Sequence, residues 1–249
     1  MPPLLLKILN VLAYFLFIGI KFPTFKIIYK TYISPAPYVY GIWGLIHLLF
    51  LGFVIYQFFA KNEKIITENI GWNFINIAIV NSTGDILYQS DYLLFSWIAT
   101  LVIFAIISFV YYRLKTHYPV RKCIWNENLF IHAPFSIYHG WIAVLVVIRG
   151  FAAFSEKEPG ESPSVLMKIL VVLALLLLEM TAVGYIEKFK GDVAGAAVIV
   201  WTLCGIAVEQ DDPVIRWVAV FFAIFTTFHI IKGLYQIRKS DEEQPLSLG

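Results

Sequence analysis

Four histidines, two acids and an arginine lie within or against long apolar stretches of this chain, and these are the side chains equipped to do chemistry there. His139, Glu179 and His229 each fall roughly 12 Å from the same-side end of their own segments, counting about 1.5 Å per helical residue, so one level can hold all three. Ionisable groups at that depth are costly unless they pair or line a cavity. Two readings follow: a proton relay through Glu179 with one or both histidines, or a neutral Glu179 hydrogen-bonded to a neighbouring helix. Nearer the opposite side, Arg149 matches the depth of Asp85, which predicts either a structural ion pair or a guanidinium free to contact an anionic ligand.

Other chemistries find less support. His132 and His139 are seven apart, on one helical face and about two turns from each other, which suits two stacked haems rather than one, and no segment supplies a matching histidine pair. The chain has no HExxH, no clustered histidine boxes and no zinc-type spacing, so neither a metal nor a cofactor is expected. Lys232 lies too near the end of its segment for a retinal-type Schiff base. Cys123 and Cys204 fall at different depths, so no disulfide is expected. No acid and base pair adequate for an enzyme emerges, and no catalytic residue is assigned.

The elements that must position these groups are written in the composition. Of 249 residues, 59% are hydrophobic, 17% aromatic and 14% charged, against roughly a quarter charged in a soluble domain. Apolar runs long enough to cross a hydrocarbon core of ~30 Å occur eight times: Leu4–Ile20, Tyr38–Ala60, Asn69–Leu87, Tyr92–Leu114, Asn128–Phe154, Val165–Ile186, Asp192–Val208 and Pro213–Ile237. They predict an all-α, polytopic transmembrane bundle of about eight helices. Segments such as Leu101–Val110 are apolar all round, which rules out the alternation of a membrane β-barrel. The first run has no basic residue before it and no small-residue cleavage site after Ile20, so it reads as a retained helix rather than a signal peptide. A net charge of +2 without a basic, aromatic-interleaved surface excludes nucleic acid as a partner.

With eight crossings, the side bearing Lys61, Lys64, Arg113, Lys115, Arg121, Lys122, Lys188, Lys190, Arg238 and Lys239 outweighs the side bearing Lys21, Lys26, Lys30 and Lys157, which predicts cytoplasmic N- and C-termini. The third segment is unusually polar. Asn69, Asn73 and Asn76 share one face, either for interhelical hydrogen bonds or as the wall of a ligand cavity, and Asn81-Ser82-Thr83 forms a glycosylation sequon inside a spanning segment where modification is not expected. Pro134 predicts a kink or a first turn in the fifth segment. Gly191-x-x-x-Gly195 predicts close helix packing in the seventh, and Asp212-Pro213 a capped start to the last.

The stretch Ser34-Pro-Ala-Pro-Tyr-Val-Tyr-Gly-Ile-Trp-Gly-Leu-Ile-His47, with Ala133-Pro-Phe-Ser-Ile-Tyr-His-Gly-Trp-Ile142, Asp192-Val-Ala and Trp201-x-Leu-x-Gly-Ile-Ala207, resembles the translocator protein / tryptophan-rich sensory protein (TspO/MBR) family, in particular its longer relatives. One departure is plain: the Leu-Asn-x-x-Trp of short members is met here by Ile75-Asn76 followed by Ile79. The resemblance implies a five-helix unit over residues 1–154, in which a loop between the first two helices caps a pocket for tetrapyrroles, sterols and drug-like aromatic molecules. Residues 155–239 would then be a three-helix extension of the same membrane domain, and residues 240–249 a disordered tail.

Aromatic side chains offer flat, rigid surfaces for a planar ligand, with polar tips that fix its orientation. The expected ligand-binding set is Pro35, Tyr38, Tyr40, Trp43, His47, Asn73, Asn76, Tyr138, His139 and Trp141, with Asp85, Arg149, Glu179 and His229 as ion-pair or relay groups. The expected function is that of a membrane receptor or carrier for a hydrophobic planar molecule of porphyrin or sterol type, closed by the Lys21–Pro37 loop. Its expected partners are that molecule and membrane lipid, with a homodimer as a further option. A proton-coupled small-solute transporter using Glu179, His139 and His229 competes with it, but no second copy of Pro-Tyr-x-Tyr-Gly-x-Trp supplies an inverted repeat.

Overall fold

The computed structural model describes residues 3–21, 29–60, 63–118, 125–155, 162–188 and 192–242. Cys123, Gly191, residues 22–28 of the first loop and residues 243–249 of the expected tail lie outside these ranges. Among the described residues, eight helices of fifteen residues or more carry the fold: α1 (Pro3–Lys21), α2 (Ile42–Tyr56), α3 (Asn73–Gln89), α4 (Leu93–His117), α5 (Ala133–Phe154), α6 (Val165–Glu187), α7 (Val193–Glu209) and α8 (Pro213–Glu242). No β-strand occurs among the described residues. Six of the helical stretches are long and apolar enough to cross a membrane, and the 17-residue α7 is apolar but shorter. The molecule is an integral, multi-pass helical membrane protein.

Its surface follows from that solvent. Leu12, Phe15, Leu48, Leu177, Met180 and Phe228 are exposed, while Asn10, Gln57, Asn81, Asp85, Arg149 and Glu179 are buried. Lipid offers no hydrogen bonds, so polar side chains must satisfy one another inside.

Two compact units form. In the first, built from the described residues up to Thr31 and from Tyr40 to Ser155, α4 packs against both α3 and α5, α1 packs against α2 and α3, and α2 packs against α5. Two π-helical turns precede its polar helices, Ile65–Ile70 before α3 and Asn128–His132 before α5. Pro134 stands in the first turn of α5, where its missing N–H costs least, and the turn ahead of it is widened so that Ala133 N–H bonds Asn128 O. α3 starts at Asn73, four residues after the expected Asn69, because Gly71 adopts a positive φ of 51° that ends the π turn.

The second unit joins α6, α7 and α8 to the short segment Tyr32–Val39. Ser164 caps α6 by accepting from Met167 N–H at 3.2 Å, and Asp192 caps α7 by accepting from Ala194 N–H at 3.2 Å. α6 and α7 meet at Gly195, where an added Cβ would lie 3.0 Å from the Tyr185 ring. α8 extends through residues 240–242, into the segment expected as tail.

Asp212 starts α8, accepting from Val214 N–H (3.0 Å) and Ile215 N–H (3.2 Å) and bridging to Lys168 Nζ at 2.8 Å. Burial pushes the Asp212 carboxyl up, but the Lys168 hydrogen bond and charge and the two backbone N–H groups outweigh it and hold the group below the usual carboxylate range. A carboxylate favoured in the folded state contributes stability that is complete above its unfolded pKa and is lost as pH falls through the folded one. Unfolding of the protein in detergent is therefore expected to become easier as the pH falls below the usual carboxylate range, and less steeply so in Asp212→Asn. An identical acid limb in that variant would contradict the assignment.

Candidate functional site

Helix periodicity places Tyr40, Trp43 and His47 on one side of the start of α2, and Tyr138 and Trp141 on one side of α5. In the first unit Trp43, His47 and Tyr138 gather around Phe17 of α1, and Trp141 and Tyr40 join them through Trp43. Trp43 stacks on His47 (ring centroids 5.7 Å apart, planes at 26°) and meets the Trp141 ring edge-on at 6.0 Å. Tyr40 meets Trp141 edge-on at 5.8 Å. Phe17 lies 4.9 Å from His47, 6.1 Å from Trp43 and 5.9 Å from Tyr138. Each such pair contributes about 0.5–1.5 kcal/mol beyond the burial of its area.

Trp141 and Tyr138 are both 0% exposed, yet their polar atoms fare differently. The Tyr138 hydroxyl donates to Asn81 Oδ1 at 3.0 Å. The Trp141 indole N–H has no hydrogen-bond partner among the described residues. A buried donor left unsatisfied costs about 1–3 kcal/mol, which an acceptor brought by a ligand would recover.

Behind Tyr138 runs a chain of buried polar groups. Asn81 Nδ2 donates to Asp85 Oδ2 at 2.8 Å, and Asp85 Oδ1 pairs with Arg149 Nη2. Arg149 Nη1 donates to Thr100 Oγ1 at 2.9 Å, and its guanidinium lies over the Tyr88 ring at 5.3 Å. Ser96 Oγ donates to Gly84 O at 2.8 Å, tying α4 to α3 at the same level. Gly84 is required there, because an added Cβ would stand 3.2 Å from Ala99 Cβ and 3.3 Å from Arg149 Nη1. Asn81 thus connects the buried Asp85–Arg149 pair to Tyr138 of the aromatic cluster.

The remaining candidate residues are placed elsewhere. Asn69 donates to Lys64 O (3.3 Å) and Asn73 to Ile70 O (3.0 Å), closing the turns that lead into α3, while Asn76 is exposed. His139 turns to α4, with Nε2 2.8 Å from Ser108 Oγ and its ring between those of Tyr111 (4.7 Å, 5°) and Phe104 (5.3 Å, 19°). Pro35 and Tyr38 belong to the second unit, where Pro35 lies against Gly205 and Tyr38 meets Trp201 edge-on at 5.1 Å. Glu179 contacts Thr226 of α8, and His229 Nδ1 lies 3.1 Å from Phe225 O of its own helix. Among the described residues, no group of three His, Cys, Asp or Glu side chains is arranged to hold a metal.

Asn81 and Phe17 are the site residues that sequence reasoning passed over. Asn81 reads in the sequence as one of the third segment's inward-turned polar groups and as part of a sequon, not as a site residue, although its i, i+4 relation to Asp85 puts both on one face. Phe17 sits in a run of apolar residues with no pattern to mark it.

No curated protein and no solved structure matches this chain. A family model described as "TSPO-like protein" does, over residues 4–232, a range that runs from the first spanning helix into the last and takes in both motif-bearing stretches at the aromatic cluster. The chain belongs to the TSPO-like protein family.

Proposed function

We propose that the protein is a non-enzymatic membrane receptor or carrier that holds a hydrophobic, planar molecule of tetrapyrrole or sterol type against the aromatic cluster of α1, α2 and α5. The observation that carries this reading is the buried, unpartnered indole N–H of Trp141, set among the rings of Tyr40 and Trp43. The rings supply stacking surface, and the N–H supplies one directed bond to an acceptor such as a carboxylate or carbonyl on the ligand's edge. Asn81, oriented by Asp85, fixes the Tyr138 hydroxyl and with it the ring beside Trp43. The resemblance to the TspO/MBR family supports the same ligand class.

Titrating purified protein with protoporphyrin, read by tryptophan fluorescence, tests the proposal. Saturable quenching is expected, with affinity lowered in Trp43→Phe and Trp141→Phe but unchanged in Trp217→Phe, whose side chain is exposed on α8. Loss of one neutral hydrogen bond, worth about 0.5–1.5 kcal/mol, predicts a weakening of up to about tenfold for Trp141→Phe. Saturable quenching with the same affinity in all three variants would remove the site from this cluster.

A further inference from the structure

Among the described acids of the second unit, Glu179 is the least exposed. Glu179 of α6 is 4% exposed, and its Oε2 contacts the hydroxyl of Thr226, which is 0% exposed. Thr226 Oγ1 also lies 2.8 Å from Phe222 O, the carbonyl one turn earlier in α8, in the usual back-bonding position of a helical threonine. A hydroxyl has one proton and two acceptor lone pairs. If that proton goes to Phe222 O, the proton in the contact with Glu179 must come from the carboxyl group. Glu179 Oε1 is buried without a hydrogen-bond partner among the described residues, an arrangement that a neutral acid tolerates far better than a carboxylate.

The nearby lysines are engaged elsewhere, and His229 is a neighbour whose charge would favour the carboxylate. On α8, Lys232 is engaged by Glu187 at 2.8 Å, and on α6 Lys168 is engaged by Asp212 at 2.8 Å. His229 stands one turn beyond Thr226, with Nδ1 directed at Phe225 O. From α7 the titratable groups are Cys204 and the terminal Asp192 and Glu209, none of them a cation. No Lys or Arg among the described residues forms a salt bridge with Glu179.

From this geometry we infer that Glu179 is a proton-binding site, a carboxylic acid that keeps its proton at neutral pH and donates it to Thr226 Oγ1. The ligand of the site is the proton itself. The inference stands apart from the aromatic cluster, and failure of one leaves the other intact.

Infrared difference spectroscopy of the full chain in lipid vesicles, wild type against Glu179→Gln at neutral pH, reads the site directly. The expected result is loss of one protonated-carboxyl C=O band, a band that shifts in D2O in the wild type. The glutamine amide can still donate to Thr226, so the variant should fold. In Thr226→Val the acid loses its acceptor while staying in place, and its C=O band is expected to move. Loss of carboxylate bands alone in Glu179→Gln, or a C=O band unmoved by Thr226→Val, overturns the assignment. Porphyrin titration of the same variants should be unchanged, which separates this result from the fate of the proposed ligand site.

Discussion

Arg149→Met is expected to be the most damaging single substitution in the first unit, costing about 3–5 kcal/mol because it leaves one member of a buried ion pair uncompensated. Arg149 and Asp85 are 7% and 5% exposed, so neither can turn to water when its partner is removed. The two losses should differ in size. In Asp85→Asn the guanidinium keeps Thr100 Oγ1 and the Tyr88 ring, whereas in Arg149→Met the Asp85 carboxyl keeps the Asn81 amide but loses its positive partner. The midpoint of thermal unfolding in detergent should therefore fall further for Arg149→Met than for Asp85→Asn. The double variant should recover much of the loss, since a neutral pair removes the stranded charge. A wild-type midpoint in Arg149→Met would show that the pair is dispensable. Ligand binding should suffer too, because Asp85 orients Asn81, and Asn81 holds the Tyr138 hydroxyl beside the aromatic cluster.

Helices were legible in the sequence wherever charge or proline bounded an apolar run. Leu4–Ile20 became Pro3–Lys21 and Val165–Ile186 became Val165–Glu187. The limits failed where backbone rather than hydropathy decided them. Tyr38–Ala60 reads as one segment, yet it opens with a 3-10 turn over Pro37–Gly41 before α2 begins at Ile42, because proline fixes the turn and cannot donate within it. At the site, aromatic type and location picked out Tyr40, Trp43, Tyr138 and Trp141, and depth counting put Asp85 level with Arg149. Neither could say which neighbour a face meets. His139 is one residue from Tyr138, and the 100° step between them sends it to Ser108 and Tyr111 instead of to Trp43. Nor can adjacency in sequence tell where a loop packs: Tyr38 and Tyr40 are two apart, but Tyr38 meets Trp201 and Tyr40 meets Trp141.

Within the second unit, Gly205 seats the segment that carries Tyr38, and Gly205→Ala is expected to displace it. In the second unit the segment Ser34–Val39 lies against α7 and its C-cap through three hydrogen bonds: Gln210 Nε2 donates to Ser34 O at 2.7 Å, Ala36 N–H donates to Gly205 O at 3.0 Å, and Trp201 Nε1 donates to Val39 O at 3.3 Å. A Cβ at Gly205 would overlap Val39 Cγ2 and reach within 3.2 Å of Pro35 Cβ, and Val39 is fully buried with nowhere to retreat. Overpacking of this kind costs about 1–3 kcal/mol, against a gain of at most ~1 kcal/mol in helix propensity when alanine replaces glycine. The clash wins, and relieving it means lifting the segment and stretching or breaking the Ala36 bond. The variant should show faster proteolysis within residues 32–39 and a lowered unfolding midpoint. Val39→Ala in the same background makes room for the new methyl group and should restore both.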